Sequence, residues 1–585
     1  MSLAAWVTLA VVIAMIVALA RDWVSPPTGV MGAVIVLLVG GVVTPAQAFG
    51  GFANAAPITV AALYVLAAAV TKTGLLQPVL VQVLGRRGSR RGSLLRLCVP
   101  VAGASAFLNN TPIVAMLAPQ VTNWAAGRNE SPSRYLIPLS FATILGGTVT
   151  LIGTSTNVLV SGLLEASGQP PLGMFELTPV ALPVAVVGVV LIVLLAPVVL
   201  PDRKPAREQL STGIRDFVVG MRVEAGGPVD GLTIEQAGLR HLQGVFLVEI
   251  ERHGEAVAPV APTTVLQGED LLTFVGRADL VVDLHARRGL ISAEAKHLEH
   301  FNTARHTFFE AVVGAESPLV GKNIRELGFR GRYQAAVVAV HRAGQAIRAK
   351  LGDVRLRLGD TLLLLADPGF QERWRDRPDF LLMSRLGGAA PAVTRKRWIV
   401  ALTGVAVVIV AGTGILPILQ SALLAAVVLV AVGVLSPAEA RGAVDMNVIV
   451  VIGASFGLGA AIESSGLARR FASYLVTALG SFGEVGLLLA IATACVVLNE
   501  AITNNATAAL MFPIAMNVAA EMGHVARLFA VVTAIAASAS FLTPIGYQTN
   551  TMVYGLGGYR FADYVRLGAP LTVTVLITLL LSASR

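Results

Sequence analysis

The chain has 585 residues, of which 55% are hydrophobic and only 14% are charged. Soluble proteins carry about 25% charged residues, so this composition excludes an ordinary soluble protein and indicates several membrane spans. The formal net charge of +9 does not imply nucleic-acid binding, because basic loops orient membrane helices. The two cysteines, Cys98 and Cys495, are too few for a disulfide framework.

Apolar runs of about 15–25 residues, the length that crosses a bilayer, predict six segments in each of two regions. Leu3–Ala20 is interpreted as the first helix rather than a cleaved signal peptide, because further spans follow it. The remaining runs of the first region are Thr28–Val43, Pro57–Lys72, the paired run Leu94–Trp124, Tyr135–Leu164 and Leu177–Leu200. Those of the second region are Trp398–Gly412, Pro417–Leu435, Asn447–Ile462, the paired run Gly486–Ala520, Leu528–Tyr554 and Pro570–Ser582.

Charged residues are concentrated between these two regions. Residues 201–395 hold 50 of the 79 charged residues, which are 44 Lys and Arg plus 35 Asp and Glu. The predicted domains are therefore a first membrane region (1–200), a soluble insert (201–395) and a second membrane region (396–585).

The two membrane regions form an internal repeat. Thr44–Ala48 matches Ser436–Ala440 at a separation of 392 residues, and Gly153–Asn157 matches Gly546–Asn550 at 393 residues. Landmarks that share nearly one offset over such a distance indicate a duplicated structural unit.

Polar tips interrupt the paired run of each region. Asn109-Asn110-Thr111-Pro112 lies in the first and Thr503-Asn504-Asn505-Ala506-Thr507 in the second. Amides and freed carbonyls are costly in hydrocarbon, so they persist where they line a cavity or bind something. If Leu94–Trp124 turns back at Asn109–Pro112, the arginines on both sides of it stay cytoplasmic, as the positive-inside rule favours. Each paired run is therefore predicted to be a re-entrant hairpin.

The predicted fold is a polytopic α-helical membrane protein with five transmembrane helices and one re-entrant hairpin in each half. Because five is odd, the second half is expected to be inverted relative to the first, with the α/β insert in the cytoplasm. Inverted repeats with broken helices at the membrane midplane are a design of secondary transporters. Ordinary helices joined by unusual loops remain the alternative.

Each region contains a second broken element, Gly146–Asn157 and Ser540–Asn550. Their hydroxyls and freed carbonyls are hard oxygen ligands that suit a small cation, whereas helix N-termini and amide N–H groups suit an anion. Glu500 precedes Asn505 by five residues and has no acidic counterpart in the first tip. An intramembrane carboxylate of this kind could complete a cation site or carry a proton.

The tips, the broken loops and the Pro-Ala-x-Ala repeats resemble the divalent anion–sodium symporter family, over about two thirds of the chain. The resemblance implies transport of dicarboxylate, citrate or sulfate, with Ser-Asn-Thr tips that bind sodium on one face and the anion on the other. Asn replaces Ser at both tips here, and Ala506 replaces the second Thr. Ser155-Thr156-Asn157 and Gln548-Thr549-Asn550 stand where carboxylate carriers often have Pro-Pro-Asn, which resembles the algal and cyanobacterial sulfate branch.

The resemblance and the broken loops together predict the site residues. Positions expected to bind the anion are Asn110, Thr111, Asn505, Ala506, Thr507, Thr543 and Pro544. Positions expected to bind sodium are Asn109, Asn110, Gly153, Thr154, Asn157, Glu500, Thr503, Asn504, Gly546 and Asn550.

The insert contains its own repeat of 90 residues. Val245–Ile250 and Ala335–Val340 read as strands that end in Arg-x-Gly turns, and Gly321–Leu327 reads as a short helix. The insert resembles two C-terminal regulator-of-potassium-conductance (TrkA-C) domains, at about 214–285 and 306–380, which implies regulation or dimer assembly and an unidentified ligand. No strand is followed by Gly-x-Gly-x-x-Gly, so the nucleotide-binding half found beside such domains is expected to be absent.

The expected function is import of a small divalent anion, sulfate first and dicarboxylate next, coupled to sodium across the plasma membrane. The alternatives are a cation–proton antiporter or anion exporter, which Glu500 allows, and a potassium transport protein, which lacks the expected filter sequence. An enzyme is excluded by the lack of a catalytic motif in the spans. The expected partners are the anion, the lipid bilayer and a second copy of the chain, with sodium as coupling ion, no other cofactor and no nucleic acid.

Overall fold

The chain forms two units in a computed structural model. The structure describes residues 2–21, 23–75, 89–126, 128, 130–203, 218–239, 245–252, 255–257, 263–276, 289–292, 307–314, 317–342, 345–347, 351–367, 369–374, 379–385 and 396–584. The first unit comprises Met1–Asp202, Ala389–Tyr554 and Arg560–Arg585. The second comprises Arg203–Gly388 and Gly555–Tyr559.

The first unit is helical, and its helices follow the apolar runs. In the first half they are Leu3–Ala20, Pro26–Val39, Pro45–Phe49, Ala55–Thr73, Arg90–Ser105, Asn110–Ala126, Leu136–Gly147, Ser155–Ala166 and Thr178–Val199. In the second half they are Arg397–Gly412, Ile418–Ala431, Pro437–Gly442, Met446–Ser464, Leu467–Leu479, Gly483–Asn499, Asn504–Met522, Ala526–Ser538, Gln548–Leu556 and Phe561–Ala583. Short 3₁₀ turns are Gly50–Ala53, Pro132–Arg134 and Gly480–Phe482.

Six helical stretches in the described part of the chain are long and apolar enough to cross a membrane. They are Leu3–Ala20, Pro45–Thr73, Thr178–Val199, Met446–Ser464, Leu467–Asn499 and Phe561–Ala583. The chain is therefore a multi-pass membrane protein, as its composition predicts.

The internal repeat is visible in how corresponding helices begin. The Thr44 hydroxyl accepts a hydrogen bond from the Gln47 N–H at 3.3 Å, and the Gln47 side chain accepts one from the Thr44 N–H at 2.9 Å. Ser436 and Glu439 exchange the same two bonds at 3.2 and 2.7 Å. Both are capping boxes followed by proline at the first helical position, so the sequence match reflects matched local structure.

The two halves touch through glycines that bring backbones together. A methyl group built on Gly51 would lie 2.3 Å from the carbonyl oxygen of Gly453, and one on Gly457 would lie 2.6 Å from that of Ala48. Small residues allow this close approach between membrane helices, where packing rather than the hydrophobic effect drives association.

The first turn differs in position from its prediction. The chain was expected to turn at Asn109–Pro112, but the second helix of the pair already begins at Asn110 and the connection is 106–109. Pro112 therefore lies in the first turn of a helix, where its missing N–H sacrifices no hydrogen bond.

One helix of the second half, Leu467–Leu479, was not predicted. It buries Leu467, Ala468 and Ala472 and exposes Arg469. A search for continuous apolar runs passes over such an amphipathic helix, since its apolar residues recur with a helical period rather than side by side.

The second unit contains two five-stranded antiparallel sheets. The strands of the first are β1 (Val218–Val223), β2 (Val245–Arg252), β3 (Glu255–Val257), β4 (Leu271–Gly276) and β5 (Leu290–Ser292). Those of the second are β6 (Thr307–Val312), β7 (Ala335–Arg342), β8 (Gln345–Ala346), β9 (Thr361–Ala366) and β10 (Leu382–Arg385). The first sheet has the order β3-β2-β4-β1-β5, and the second, β10-β6-β9-β7-β8, has that same order when read from its other end.

The 90-residue repeat of the insert extends to its side chains. Arg252 donates to both carboxylate oxygens of Asp270 at 2.8 Å each, and Arg342 donates likewise to Asp360 at 2.7 Å each. Each guanidinium thus ties the end of one strand to the turn that starts another. The helix predicted over Gly321–Leu327 is wrong: glycines at positive φ hold this segment in turns, and the short helix is Phe329–Tyr333.

Candidate functional site

Two broken helix pairs carry the polar tips. The first helix pair, Arg90–Ser105 and Asn110–Ala126, and the second helix pair, Gly483–Asn499 and Asn504–Met522, each stop for four residues at the tip. Thr503 caps the latter helix by accepting the Ala506 N–H at 3.4 Å. Both tips therefore begin a helix whose first N–H groups lack intrahelical acceptors.

Two broken loops lie beside the tips. The first broken loop, 148–154, follows helix Leu136–Gly147, and the second broken loop, 539–547, follows helix Ala526–Ser538. Each is held by an asparagine predicted to bind a cation.

The two asparagines make the same bonds in both halves. Asn157 Nδ2 donates to the carbonyls 10 and 7 residues before it, at 3.3 and 2.8 Å. Asn550 Nδ2 donates to the carbonyls at the same spacings, at 3.0 and 3.3 Å. Each amide nitrogen therefore fixes the shape of its loop, and only the amide oxygen remains for other partners.

Those two oxygens differ in their surroundings. Asn550 Oδ1 accepts the Ser140 hydroxyl at 2.7 Å, whereas Asn157 Oδ1 is buried without a partner among the described residues. A buried amide oxygen that accepts nothing is costly, which suits a position that a cation would occupy.

The first tip contacts the second broken loop. Asn110 Nδ2 donates to the Tyr547 hydroxyl at 2.7 Å, and the Thr111 hydroxyl donates to Gln548 Oε1 at 3.2 Å. Thr154 Oγ1 lies 3.5 Å from the Tyr547 hydroxyl. Two of the predicted anion-binding residues are thus already tied to the opposite half.

The second tip contacts the first half in the corresponding way. Asn505 Oδ1 accepts the hydroxyls of Ser155 and Thr156 at 3.3 and 3.4 Å, and Asn505 Nδ2 donates to Ser155 at 3.2 Å. Ser155 corresponds to Gln548 and Thr154 to Tyr547 at the offset of 393 residues. The tips therefore meet a polar seam formed by both halves.

Glu500 and Ser105 occupy equivalent positions, each five residues before an amide of a tip. Glu500 Oε1 accepts the N–H groups of Phe541 and Leu542 at 2.9 Å each, and Oε2 accepts the Thr543 hydroxyl at 2.7 Å. Glu500 thereby joins the second helix pair to the second broken loop.

Ser105 connects the first helix pair to the helix Leu136–Gly147 through a hydroxyl group instead of a carboxyl group. Its hydroxyl lies 2.6 Å from Asn110 Oδ1 and 2.8 Å from the carbonyl oxygen of Thr143. The two equivalent positions therefore differ by an ionisable carboxyl group.

Oxygen atoms crowd around Gly546, which was predicted to bind a cation. A methyl group built there would lie 2.2 Å from Ser540 Oγ, 2.8 Å from Glu500 Oε2 and 3.2 Å from the Asn499 carbonyl oxygen. Ser540 Oγ and both side-chain polar atoms of Asn499 are buried without partners in the described part of the chain. A hydroxyl, a carboxylate and a carbonyl are the ligands that a hard cation such as sodium takes.

Gly153 occupies the equivalent place in the first half. A methyl group there would lie 2.4 Å from the carbonyl oxygen of Gly147 and 2.8 Å from that of Ser105. This oxygen cluster contains no carboxyl group, so the two clusters share a position but differ in their ligand atoms.

Other predicted site residues lie outside these contacts. Ala506 is fully buried in an apolar cluster with Ile502 and Leu510, so its side chain adds no polar group to the tip. Thr507 Oγ1 and Asn504 Nδ2 are buried without partners among the described residues. The remaining two are Pro544, whose carbonyl accepts the Thr551 hydroxyl at 2.7 Å, and Asn109, which lies beside the Tyr64 hydroxyl.

Sequence reasoning missed several residues of the seam. They are Ser105, Ser140, Ser155, Thr156, Tyr547 and Gln548. The repeat offset was the signal that could have found Ser105 and Tyr547, since it aligns them with Glu500 and Thr154, two predicted cation ligands.

Broken helices that meet at a polar seam inside an apolar helical unit define a membrane transporter. A family model described as citrate transporter (CitMHS) matches residues 10–536, so the chain belongs to the citrate transporter family. This confirms the resemblance to divalent anion–sodium symporters, and the chain is a transporter rather than an enzyme.

Three relatives cover nearly the whole chain. An uncharacterized transporter of Synechocystis sp. is 37% identical over 97% of this chain and 94% of its own length. A Chlamydomonas reinhardtii protein that bears the provisional name of a sulfur deprivation response regulator is 36% identical, over 95% of this chain and 98% of its own length. Sodium/sulfate cotransporter 1 of the same alga is 26% identical over 96% and 87%.

Proposed function

We propose that this chain imports a small divalent anion, sulfate first and dicarboxylate next, by coupling its entry to sodium. The observation that carries the proposal is the polar seam, where Asn110 bonds the second broken loop and Asn505 bonds the start of the helix that follows the first broken loop. The groups in these contacts are amides and hydroxyls, all neutral. A divalent anion bound there would depend on co-bound cations for charge balance, which is the physical basis for coupling.

The oxygen clusters around Gly153 and Gly546 are the proposed sodium sites. The unpartnered oxygens of Asn157 and Ser540 support this, since hard oxygen donors left unpaired in a buried site suit sodium. Glu500 supplies a carboxylate to the second site only, so the two sites should differ in cation affinity. The sulfate preference is supported by the name of one relative, Sodium/sulfate cotransporter 1.

Two ion pairs support an inverted arrangement of the halves. Arg134 and Arg527, equivalent at an offset of 393 residues, pair with Asp202 and Glu176 respectively. Those carboxylates flank the two ends of helix Thr178–Val199, whose 22 residues extend about 33 Å. If that helix crosses the membrane, equivalent arginines lie at opposite faces.

This arrangement agrees with five crossings and one re-entrant hairpin per half. We propose that the insert, which follows Asp202 in the chain, lies in the cytoplasm, because the positive-inside rule favours the cytoplasmic side of a plasma membrane for Arg134. We further propose that the two sheets of the insert act as TrkA-C-like domains in regulation or in assembly of a homodimer. The repeated topology of the sheets supports that reading.

A second candidate function is cation–proton antiport or anion export on the same architecture. Glu500 favours it, because a partly buried intramembrane carboxylate can carry a proton. The two candidates differ in whether anion movement requires a sodium or a proton gradient. Potassium transport has no supporting contact among the described residues.

Transport by proteoliposomes of the full chain tests the proposal. Labelled sulfate and labelled succinate would be offered under an inward sodium gradient, then under a proton gradient, with potassium substituted for sodium as the control. Sodium-dependent uptake of sulfate above succinate is expected. Cation flux with no uptake of either anion would refute the proposal, and proton-dependent anion exit would favour the second candidate.

A further inference from the structure

The seam is more accessible at the end where the first tip meets the second broken loop. There Gln548 is exposed and Thr111 and Tyr547 are half-buried, whereas at the other end Ser155 is half-buried and Asn505 and Thr156 are buried. A ligand approaching the seam in this state therefore meets Tyr547 and Gln548 first. Neither was predicted as a binding residue.

The hydrogen bonds at this end leave more free donors than free acceptors. Asn110 Oδ1 already accepts the Ser105 hydroxyl at 2.6 Å, and Gln548 Oε1 already accepts the Thr111 hydroxyl at 3.2 Å, so each amide oxygen keeps one of its two lone pairs. The Tyr547 hydroxyl accepts from Asn110 at 2.7 Å and lies 3.5 Å from Thr154 Oγ1, so its own O–H can turn to a ligand, as can the Nε2 hydrogens of Gln548.

We propose that Tyr547 and Gln548 are specificity-determining residues that present hydrogens to a fully deprotonated oxyanion. The inference rests on the proposed function and narrows its substrate class. Sulfate, selenate and ionised dicarboxylates offer only acceptors, so each meets these donors without loss. Hydrogen phosphate carries a P–O–H group that must donate, and the amide oxygens that could accept it each already receive a hydroxyl hydrogen.

The expected discrimination follows from the asymmetry of hydrogen bonding. Leaving a desolvated donor without an acceptor loses more free energy than one good hydrogen bond contributes. A site built to bond an acceptor therefore rejects a donor strongly. Charge alone cannot make this distinction, since sulfate and hydrogen phosphate both carry two negative charges.

The internal repeat shows that the long donor side chains of Tyr547 and Gln548 occur in the second half only. The equivalents of Tyr547 and Gln548 in the first half are Thr154 and Ser155, which have shorter hydroxyl side chains. The side chains of Tyr547 and Gln548 therefore carry their donors further from the backbone than Thr154 and Ser155 do.

Competition and substitution in sulfate uptake test the inference. Selenate should compete with labelled sulfate, and phosphate should not at any pH from 6 to 8. Tyr547→Phe should raise the KM for sulfate about ten- to a hundredfold, the loss of one hydrogen bond to a charged group, with a smaller change in kcat. Tyr474→Phe is the matched control, because it removes an exposed phenol of the same unit and should leave KM unchanged.

Gln548→Glu is the second variant, and it keeps the inference testable if Tyr547→Phe fails to fold. It exchanges a donor for an acceptor, so the preference for sulfate over phosphate should fall at least about tenfold. A role of Gln548 limited to holding Thr111 would not move that ratio.

The possible outcomes distinguish a failure of this inference from a failure of the proposed function. A wild-type protein that takes up no anion refutes the proposed function. A wild-type protein that takes up sulfate, with phosphate competing as well as selenate or with the KM of Tyr547→Phe unchanged, refutes only the inference.

Discussion

Removing the Arg527 guanidinium should loosen the loop 167–177, called the covering loop because it contacts the first broken loop. Arg527 pairs through Nε and Nη2 with both carboxylate oxygens of Glu176, and it also donates to the carbonyls of Pro170 and Pro171 at 3.0 Å each. The same covering loop accepts the Leu151 N–H through the carbonyl of Met174 at 3.0 Å. Arg527 thus fixes a segment of one half from the other.

The magnitude follows from burial. The side chains of Arg527 and Glu176 are 32% and 29% exposed, so the pair lies between a surface pair, worth up to about 1 kcal/mol, and a buried one, whose disruption costs about 3–5 kcal/mol. We expect Arg527→Ala to destabilise the protein by about 2 kcal/mol. A double-mutant cycle with Glu176→Ala should show about 1–2 kcal/mol of coupling.

The assay can use the two native cysteines. Cys98 and Cys495 are free and buried, so a thiol-reactive dye reports unfolding of the full chain in detergent. Arg527 lowers the pKa of Glu176 below its usual value. The coupling should therefore be complete above about pH 4.3 and shrink as pH falls further, because the carboxylate then takes up a proton. Coupling below about 0.3 kcal/mol at pH 7, with both single variants at wild-type stability, would contradict this reasoning.

Three further predictions concern the asparagines of the tips, Glu500 and His341. Asn110→Ala and Asn505→Ala should each abolish anion uptake in proteoliposomes while leaving thermal unfolding within a few degrees of wild type, since each removes contacts of the seam. Glu500→Gln removes a charge but keeps an acceptor, so the sodium concentration for half-maximal uptake should rise about tenfold, whereas Glu500→Ala should also cost about 3 kcal/mol of stability. Burial lowers the pKa of His341 in the insert to about 4, so its stability contribution is full above about pH 6.5 and lost as pH falls towards 4. In His341→Leu, the free energy of unfolding should therefore fall by about 3 kcal/mol less between pH 6.5 and pH 4 than in the wild type.

A specific result would contradict each of these predictions. Near-normal uptake by both asparagine variants would make the tips structural. Sodium dependence that survives Glu500→Gln, with the pH dependence of uptake lost, would mean that Glu500 carries a proton. Glu463→Gln is the matched control, because its carboxylate lies on an exposed helix end and bonds Asn517. An acid profile unchanged in His341→Leu would mean that the imidazole is solvated.

Local features of the fold could be predicted from the sequence because each depends on neighbouring residues. Polar residues inside apolar runs marked the helix breaks, and β-branched runs ending in Arg-x-Gly marked β2 and β7. The Leu467–Leu479 helix was missed because its apolar residues are spread around helical turns. The turn at 106–109 was predicted too late, at Asn109–Pro112, although a first helical turn accepts a proline such as Pro112.

The contacts of the seam could not be predicted in the same way. The repeat offset identifies which positions correspond, but not which positions touch. Asn110 bonds Tyr547 rather than its own counterpart Asn505, and no local pattern encodes that pairing. Ser105 looked like an ordinary small residue of a membrane helix, since a hydroxyl acquires its role only from the amide that it faces.

The bond between Asn110 and Tyr547 also has a consequence for biogenesis. The two residues are 437 positions apart, so at about 5–20 residues per second the ribosome finishes Tyr547 roughly 20–90 s after Asn110. The first half is inserted into the bilayer long before its tip can find this partner, and the whole insert is synthesised in the interval. The Asn110 Nδ2 group therefore lacks its Tyr547 partner during that time, and only its amide oxygen can pair within the first half, with the Ser105 hydroxyl.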